Sequence, residues 1–457
     1  MPGILSRPDR FLLVTGLLYG IGMAVVQPPF QVPDEPGHFY RAYRVSEGRL
    51  DLVPKPGRAK ADLPVSVQKV ATSLLGDLPF HPERKIAPRR ILAAFRVPLE
   101  PERREPAWFA GRSLYPFFPY VPQALAIALG RAFEAPPLAL LYLARLGNVL
   151  AGTLMLALAV RWLPAYRWLA VMVALTPMAL SLQGSASADV TSIGAGFLLA
   201  AGVARLAWGE QGSVRRGDLA LLTASAAVLC ASKTVYLPLA LLPLLVPPDR
   251  FPRGKRAAFL LLHLSLSLAV TIWSILLART AGTVRLDAPT DPGRQIRDAL
   301  AHPLDFLQLV AHDYLVHAPR YLAQFVGKLG WLDTTLPVAF QLTYLAVLLA
   351  LVCMDANPKI EIRAWQRCLI GSLTLATLIF ISASQYAIWT PYGAKFIEGI
   401  QGRYFLPLAP AAVWLFHGRG LVDRFGFRDP GPGLAAFSLL SFGISIWMLI
   451  ERFFLLH

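Results

Sequence analysis

Two carboxylates and a histidine follow closely on the first apolar run of the chain. The run covers residues 11–26, and the stretch 28–48, PPFQVPDEPGHFYRAYRVSEG, contains Asp34, Glu35 and His38. A carboxylate in this position could serve as a general base. Asp and Pro also commonly begin helices, so Asp34 and Glu35 could instead cap a helix that starts near His38. The residues alone leave both interpretations open.

Four later segments each place polar groups beside an apolar run. Ionisable groups at membrane depth are costly, and this makes them functional candidates. The segments are SLQGSASADVTS with Asp189, CASKTVY with Lys233 and Tyr236, GKLGWLDTTLP with Lys328, Trp331 and Asp333, and TPYGAKFIEGIQGRYFLPLAP with Lys395, Glu398, Arg403 and Tyr404.

Each of these groups also has a simpler structural interpretation. Asp189 follows a serine-rich turn and could cap a helix. Lys233 could extend from a helix end toward the membrane surface, and Arg403 could bind lipid headgroups. For Trp331 and Tyr392, membership of an interfacial aromatic belt is the preferred interpretation.

Several other kinds of site are not indicated. No His/Asp/Cys spacing resembles a zinc site, and no Gly-x-Ser-x-Gly motif provides a serine nucleophile. His312 and His317 lie on an amphipathic stretch and are interpreted as surface residues. The three cysteines have no paired or metal-like spacing.

The composition is that of a polytopic membrane protein. Of 457 residues, 55% are hydrophobic and only 16% are charged, whereas a soluble protein carries about 25% charged residues. The net charge of +16 is attributed to basic cytoplasmic loops and anionic lipid, because no nucleic-acid-binding module and no glycine-rich phosphate loop are present. We therefore expect no nucleic-acid partner.

The apolar runs predict an all-α bundle of about 11–12 transmembrane helices. The first run reads as an uncleaved helix with its N-terminus in the cytoplasm. Residues 114–132 are broken by prolines and form either a twelfth span or a helix in the interface. The other runs lie at 138–160, 167–183, 190–207, 218–231, 233–247, 257–279, 336–354, 366–383, 404–417 and 434–455.

Basic short loops alternate with loops that are poor in charge, and the positive-inside rule assigns the basic set to the cytoplasm. This alternation requires that 114–132 does not fully cross, which favours an interfacial or re-entrant helix. Two long segments, 28–112 and 280–335, are then extracytoplasmic. The first is expected to pack as short helices on the membrane surface and the second to form amphipathic helices along it.

Several of these motifs together resemble one family of bacterial membrane proteins. VPDEPGHFYRAYRVSEG, SASADV, SKTVYLPLALL, GKLGWLDTTLP and IQGRYFLPLAP resemble, in order over residues 28 to about 410, the family called domain of unknown function 2142. That family is grouped by fold with the GT-C superfamily of glycosyltransferases.

The resemblance implies a fold and an activity. It implies a GT-C-like bundle with a large first extracytoplasmic loop and an acidic catalytic residue close to the end of the first span. It also implies transfer of a sugar from a polyprenyl-phosphate carrier to an extracytoplasmic acceptor, such as a cell-envelope glycan, lipid or protein. Many members of the superfamily carry a soluble C-terminal domain. Here residues 1–457 are expected to form a single membrane domain without one, located in the bacterial inner membrane with an extracytoplasmic site.

The chemistry of such a transfer assigns roles to residues. Asp34 matches the acidic position of the superfamily and would be the general base. Arg403 and Lys233 would receive the departing phosphate, Arg403 bidentately. Glu35 or Asp189 would provide a second polar contact or hold a divalent cation such as Mg²⁺ or Mn²⁺, although whether a metal is needed is left open. The other substrate-binding candidates are His38, Arg41, Tyr236 and Tyr404.

Two alternatives to this transferase are a lipid-linked glycan flippase, which needs no base, and a polymerase of glycan repeats. Transfer is preferred over flipping because the predicted spans contain almost no acidic residues, and translocation needs polar groups at mid-membrane. The sugar, the acceptor and the oligomeric state are not indicated by the residues.

The topology gives a first prediction. Single cysteines introduced beside Asp34, Asp189, Lys233 and Arg403, after replacement of the natural cysteines, should react with a membrane-impermeant thiol reagent added from outside the cell. Labelling of the Arg403 segment only after lysis would place that segment on the cytoplasmic side and separate it from the other three.

Overall fold

The computed structural model describes residues 3, 6–50, 60–108, 116–209, 214–252, 254–279, 290–418 and 430–455. Within these ranges the chain is almost entirely helical, with two short antiparallel sheets. The helices are α1 Pro8–Val26, α2 Glu35–Ser46, α3 Val65–Leu75, α4 Pro88–Ala94, α5 Val121–Ala132, α6 Pro137–Trp162, α7 Arg167–Ala174, α8 Pro177–Gln183, α9 Asp189–Trp208, α10 Arg216–Ser232, α11 Lys255–Arg279, α12 Pro292–Ala301, α13 Pro303–Gly327, α14 Val338–Met354, α15 Ala364–Ile388 and α16 Gly431–Phe453.

Six helices in the described ranges are long and apolar enough to cross a membrane. They are α1, α6, α9, α11, α15 and α16. Together with the nearly all-helical architecture, they confirm the predicted class of an all-α, multi-pass membrane protein.

The remaining apolar runs are shorter or interrupted. Residues 167–183 form the two short helices α7 and α8, which are separated ahead of Pro177. Residues 233–247 form a 3₁₀ helix, Thr234–Leu245, with two internal prolines, and 404–417 consist of short helical turns. Proline removes a backbone donor and clashes with the preceding turn. An apolar run in this chain therefore indicates a buried segment, which need not be one continuous span.

In its described part, the proline-broken segment 114–132 contains a 3₁₀ turn, Phe118–Tyr120, followed by one short α-helix. Helix α5 has 12 residues, which corresponds to about 18 Å of length, and a bilayer core is about 30 Å thick. This length supports the interfacial or re-entrant interpretation over a twelfth span. Residues 114 and 115 lie outside the described residues.

The first long loop contains the expected short helices, α2, α3 and α4, and also a sheet that the sequence did not suggest. Strand β1, Lys60–Pro64, pairs antiparallel with β2, Arg104–Trp108. The second loop forms α12 and α13, as expected, followed by β3, Lys328–Leu329, paired with β4, Thr334–Thr335. Residues 51–59, 109–115 and 280–289 of the two loops lie outside the described residues.

Helix α9 lies at the centre of the bundle. Of its apolar window, 94% is buried inside the protein, and it packs against α6 and α10. Helix α1 packs along the opposite side of α6. The N-terminus of α9 and the C-termini of α1 and α10 thereby come to the same end of the bundle, where the polar segments are found.

A buried ion pair holds this end together. Arg145 on α6 donates to both carboxylate oxygens of Glu35, from Nε at 2.8 Å and from Nη2 at 2.7 Å, and neither side chain has any exposed surface. Arg145 also donates to the carbonyls of Ala24, Gln27 and Pro28. A single guanidinium therefore joins the end of α1, the following turn and the start of α2.

Glu35→Gln should destabilise the protein strongly. The exchange leaves the Arg145 cation buried without its counter-charge, which commonly costs about 3–5 kcal/mol. Thermal melting of the purified protein in detergent measures the effect. The matched control is Glu100→Gln, because Glu100 and Arg103 form an exposed pair at 3.9 Å that should contribute about 1 kcal/mol at most. Equal melting temperatures for the two variants would contradict this role of the buried pair.

Candidate functional site

Asp34 lies in a tight turn between α1 and α2. Its φ is 68°, in the left-handed region that Asp tolerates better than most residues. Asp34 occupies the position before the first residue of α2, but its side chain makes no capping hydrogen bond. The interpretation of Asp34 as a helix cap is therefore wrong, and its carboxylate is directed elsewhere.

The carboxylate of Asp34 belongs to a row of four alternating charges, which we call the charge row. Arg403 Nη2 lies 3.1 Å from Asp34 Oδ2, and Arg403 Nη1 lies 3.3 Å from Asp189 Oδ2. Lys233 Nζ lies 2.6 Å from Asp189 Oδ1. The charge row, Asp34–Arg403–Asp189–Lys233, thus joins four segments that are far apart in the sequence.

Helix ends account for the positions of Asp189 and Lys233. Asp189 is the first residue of α9 and Lys233 follows the last residue of α10. A helix N-terminus stabilises a negative charge and a C-terminus a positive one, because the peptide dipoles add along the axis. No side chain caps α9 at Ala188. The cap interpretation of Asp189 and the surface-extended interpretation of Lys233 are therefore both wrong.

Arg403 is held by close backbone packing on both sides. Gly402 N donates to Gln324 Oε1 on α13 at 2.9 Å, and a Cβ at Gly402 would collide with the carbonyl of Tyr321. On the other side, a Cβ on Gly196 of α9 would come within 2.5 Å of the Pro407 carbonyl. Arg403 is 5% exposed, so its interpretation as an anchor to lipid headgroups is wrong.

The two predicted tyrosines support the charge row. Lys233 Nζ lies 4.1 Å from the centre of the Tyr404 ring, close enough for a cation–π contact. Tyr236 donates its hydroxyl to the Tyr404 carbonyl at 2.9 Å. Tyr404 therefore touches a cation of the row, whereas the hydroxyl of Tyr236 holds the backbone that carries Tyr404.

Glu35 does not join Asp34, although the two are adjacent in the sequence. Besides its bonds from Arg145, Glu35 accepts from the backbone N–H groups of Phe30 at 2.8 Å and Ala186 at 3.0 Å. Both of its oxygens are thus used by the fold. The expectation of a catalytic or metal-binding Glu35 is corrected to a structural role, and the sequence signal for its partner was Arg145, a lone cation inside the apolar run 138–160.

His38 lies beside the charge row but is uncharged. Its Nδ1 is 2.8 Å from the hydroxyl of Tyr120. Burial lowers the pKa of His38 to about 3; the nearby Asp189 opposes this effect, and Arg403 and Lys233 add to it. A neutral imidazole can still offer a hydrogen bond to a substrate, so the role of His38 in substrate binding stays a prediction, without a positive charge.

Arg41 contacts the segment that follows α2. It donates to the backbone carbonyls of Arg49 at 3.4 Å and Leu50 at 3.0 Å. These contacts give Arg41 a structural role there, and its part in substrate binding stays a prediction.

The remaining polar candidates, from the second loop and from the segment after α15, are distributed over the surface and the fold. Lys395 and Glu398 are exposed, and Asp333 pairs with Arg452 on α16 at 2.9 Å. Trp331 donates to the Phe30 carbonyl at 3.1 Å, so this indole supports the turn that carries Asp34 and its interpretation as a belt residue is incomplete. Lys328 is half-buried and follows α13.

The two histidines on α13 are not equivalent. His312 is exposed, as expected, and stacks on Phe396. His317 is only half-buried and lies 2.9 Å from the buried carboxylate of Asp313, which also accepts from Ile397 N at 3.2 Å. Sequence reasoning missed Asp313, whose helical spacing of four residues from His317 was the available signal.

The carboxylates of the charge row are not arranged as a cation site. No group of three or more His, Cys, Asp or Glu side chains that could hold a metal ion occurs in the part of the chain that the structure describes. Between Asp34 and Asp189 lies the guanidinium of Arg403. These residues do not fit the divalent cation considered from the sequence, and no step of the chemistry below is assigned to one.

The neutrality of His38 predicts a pH dependence of stability. The unfolded chain binds a proton at His38 below about pH 6.5, whereas the folded chain, with a His38 pKa of about 3, does not. Stability is therefore lost as the pH falls below about 6.5, by about 1.4 kcal/mol per pH unit for this one group. His38→Gln should remove this slope, so the melting-temperature difference between wild type and variant should shrink from pH 7.5 to pH 4.5.

The control for this experiment is His81→Gln, because His81 is exposed. That variant should keep the pH dependence of the wild type. A difference between wild type and His38→Gln that stays constant over the whole range would contradict a neutral, buried His38.

Comparison with known proteins gives a family and no activity. The family model described as "Predicted membrane protein (DUF2142)" matches residues 17–412, a range that includes all four members of the charge row. No curated protein and no solved structure matches the chain. The chain therefore belongs to the DUF2142 family of predicted membrane proteins.

Proposed function

We propose that this protein is a membrane glycosyltransferase that moves a sugar from a polyprenyl-phosphate carrier to an acceptor hydroxyl. The observation that carries the proposal is the charge row. Arg403, a cation for the phosphate, pairs with Asp34, a carboxylate for proton abstraction, and Asp189 links Arg403 to a second cation, Lys233. Asp34 is the general base, and Arg403 and Lys233 receive the phosphate. We further propose that the site faces the extracytoplasmic side of the bacterial inner membrane.

The chemistry needs a base and a stabilised leaving group. The acceptor oxygen attacks the anomeric carbon of the sugar as Asp34 takes the hydroxyl proton. The bond from that carbon to the phosphate oxygen breaks, and the phosphate leaves with the bonding electrons. Arg403 and Lys233 lie where they can stabilise the charge that develops on the phosphate, and the buried setting strengthens this interaction. A direct displacement of this kind inverts the configuration at the sugar carbon.

Burial supports a reactive site over a surface ion-pair network. The side chains of Arg403 and Asp189 are 4% and 8% exposed, and those of Lys233 and Asp34 are 15% and 17% exposed. The row is thus closed toward the bundle and accessible at both of its ends. Buried ion pairs contribute little net stability compared with apolar packing, so stability alone is a weak reason for this chain to contain one.

Asp34→Asn tests the base directly. Asparagine suits the left-handed backbone at this position as well as aspartate does, so the protein should fold and bind a polyprenyl-phosphate sugar. Transfer should fall by about 10²- to 10⁴-fold, which a lost general base commonly costs. Turnover of a polyprenyl-phosphate sugar by the purified protein measures the effect, and Asp305→Asn, an identical exchange at an exposed position of α13, is the matched control.

Arg403→Lys belongs to the same experiment. It keeps the charge but loses the bidentate geometry of the guanidinium, so transfer should remain impaired. Full turnover in both Asp34→Asn and Arg403→Lys would contradict the roles of these two residues. A wild-type protein that binds the donor but transfers no sugar would favour a flippase, which requires a phosphate-binding pocket but no base.

A further inference from the structure

Arg403 divides its guanidinium between two carboxylates. Its Nη2 faces Asp34 and its Nη1 faces Asp189. A phosphate that binds an arginine bidentately takes two N–H groups of the same guanidinium at once. A phosphate at Arg403 and the two carboxylates therefore compete for the positive charge of one guanidinium.

We propose that the carrier phosphate displaces Asp34 from Arg403, so that Asp34 becomes an available base only after the donor is bound. This inference rests on the proposed function and adds an order of events to it. In the resting site the base is held in an ion pair. Donor binding exchanges that ion pair for an Arg403–phosphate contact and turns the Asp34 carboxylate toward the acceptor.

The structure indicates which of the two carboxylates the phosphate displaces from Arg403. Asp189 lies between two cations, with Lys233 Nζ at 2.6 Å, and begins helix α9, whose N-terminus favours its charge. It keeps these interactions when Arg403 turns to a phosphate. Asp34 has the most exposed side chain of the four, at 17%, so water can solvate its carboxylate after the exchange. Displacing Asp34 from Arg403 therefore costs less free energy than displacing Asp189.

The charge balance also requires an exchange. The four residues of the charge row carry two positive and two negative charges and sum to zero, so a phosphate added without any rearrangement would leave an excess of negative charge in a buried site. Burying an unpaired charge is expensive. Moving Asp34 toward solvent removes one negative charge from the row as the phosphate enters it.

The exchange sets the order in which the steps of the reaction occur. The donor binds first, and Asp34, no longer held by Arg403, accepts the proton of the acceptor hydroxyl as the new glycosidic bond forms and the sugar–phosphate bond breaks. Asp34 is then neutral and does not compete for Arg403. When it has passed the proton to water, its restored charge competes with the product phosphate and favours release of the carrier.

A binding measurement tests the exchange without any transfer reaction. The probe is geranylgeranyl phosphate, titrated into the purified full-length protein in detergent, with the uncharged alcohol geranylgeraniol as the control ligand. Asp34→Asn removes the competing carboxylate, so the dissociation constant for the phosphate should fall roughly fivefold or more, in the usual range of coupling between sites. Asp305→Asn, which alters an exposed carboxylate, should bind as the wild type does.

A second variant protects the test against a failure to fold. Asp34→Gly also removes the carboxylate, and glycine adopts the φ of 68° at this position without strain. It should bind the phosphate more tightly as well, and neither variant should change binding of the alcohol. Unchanged or weaker phosphate binding in folded Asp34→Asn or Asp34→Gly overturns the exchange. Unchanged binding would mean that Asp34 has no effect on phosphate affinity, and weaker binding would mean that Asp34 contributes to the phosphate site.

The two proposals fail in different ways. Tighter phosphate binding in Asp34→Asn, combined with a wild-type protein that transfers no sugar, overturns the transferase and leaves the exchange in place. Transfer that depends on Asp34, combined with unchanged phosphate binding in the variant, overturns the exchange and leaves the transferase.

Discussion

The ion pair between Glu35 and Arg145 is the interaction on which the rest of this end of the bundle depends. Arg145 lies within the span α6 and is fully buried, where an uncompensated charge would be very costly. Its five N–H donors are distributed over Glu35 and three backbone carbonyls. These bonds restrain the turn between α1 and α2, in which Phe30 and Asp34 take positive φ values of 67° and 68°.

The turn between α1 and α2 gives its two neighbouring carboxylates different roles. Glu35 is directed into the bundle toward Arg145, and Asp34 is directed toward Arg403. Asp34 precedes α2 and has a left-handed backbone, whereas Glu35 is the first residue of the helix, so the two carboxylates meet different partners. The strained conformation of Asp34 accompanies its place in the charge row, and strained backbone of this kind is often found at functional sites.

The charge row depends in turn on a dense bundle around it. Asp189 and Lys233 are presented by opposite ends of α9 and α10, and Arg403 is held where Gly402 meets α13. Mutual pairing satisfies these charges in the resting state, and the same pairing restrains the proposed base. A site whose charges pair with one another is stable without substrate, and in the proposed exchange a second anion can replace one of the paired carboxylates.

Much of the site was predictable from residue types and the positions of apolar runs. Asp34, Asp189, Lys233 and Arg403 were each recognised as polar groups beside an apolar run, and the structure brings all four together. Glu35, in contrast, was expected in the site and is held inside the fold. Nothing in the local sequence reveals that Arg145, 110 residues after Glu35, takes both oxygens of that carboxylate, or that burial keeps His38 neutral.

The sequence by itself determined the class of the protein, because the balance of apolar and charged residues decides whether a chain partitions into a membrane. It also determined the family and the set of residues from which a site could be built. Only the tertiary structure decided which apolar runs are continuous spans, since proline interrupts several of them, and which polar residue pairs with which. Ion pairing depends on distance and burial, and both are set by the packing of helices that are far apart in the chain.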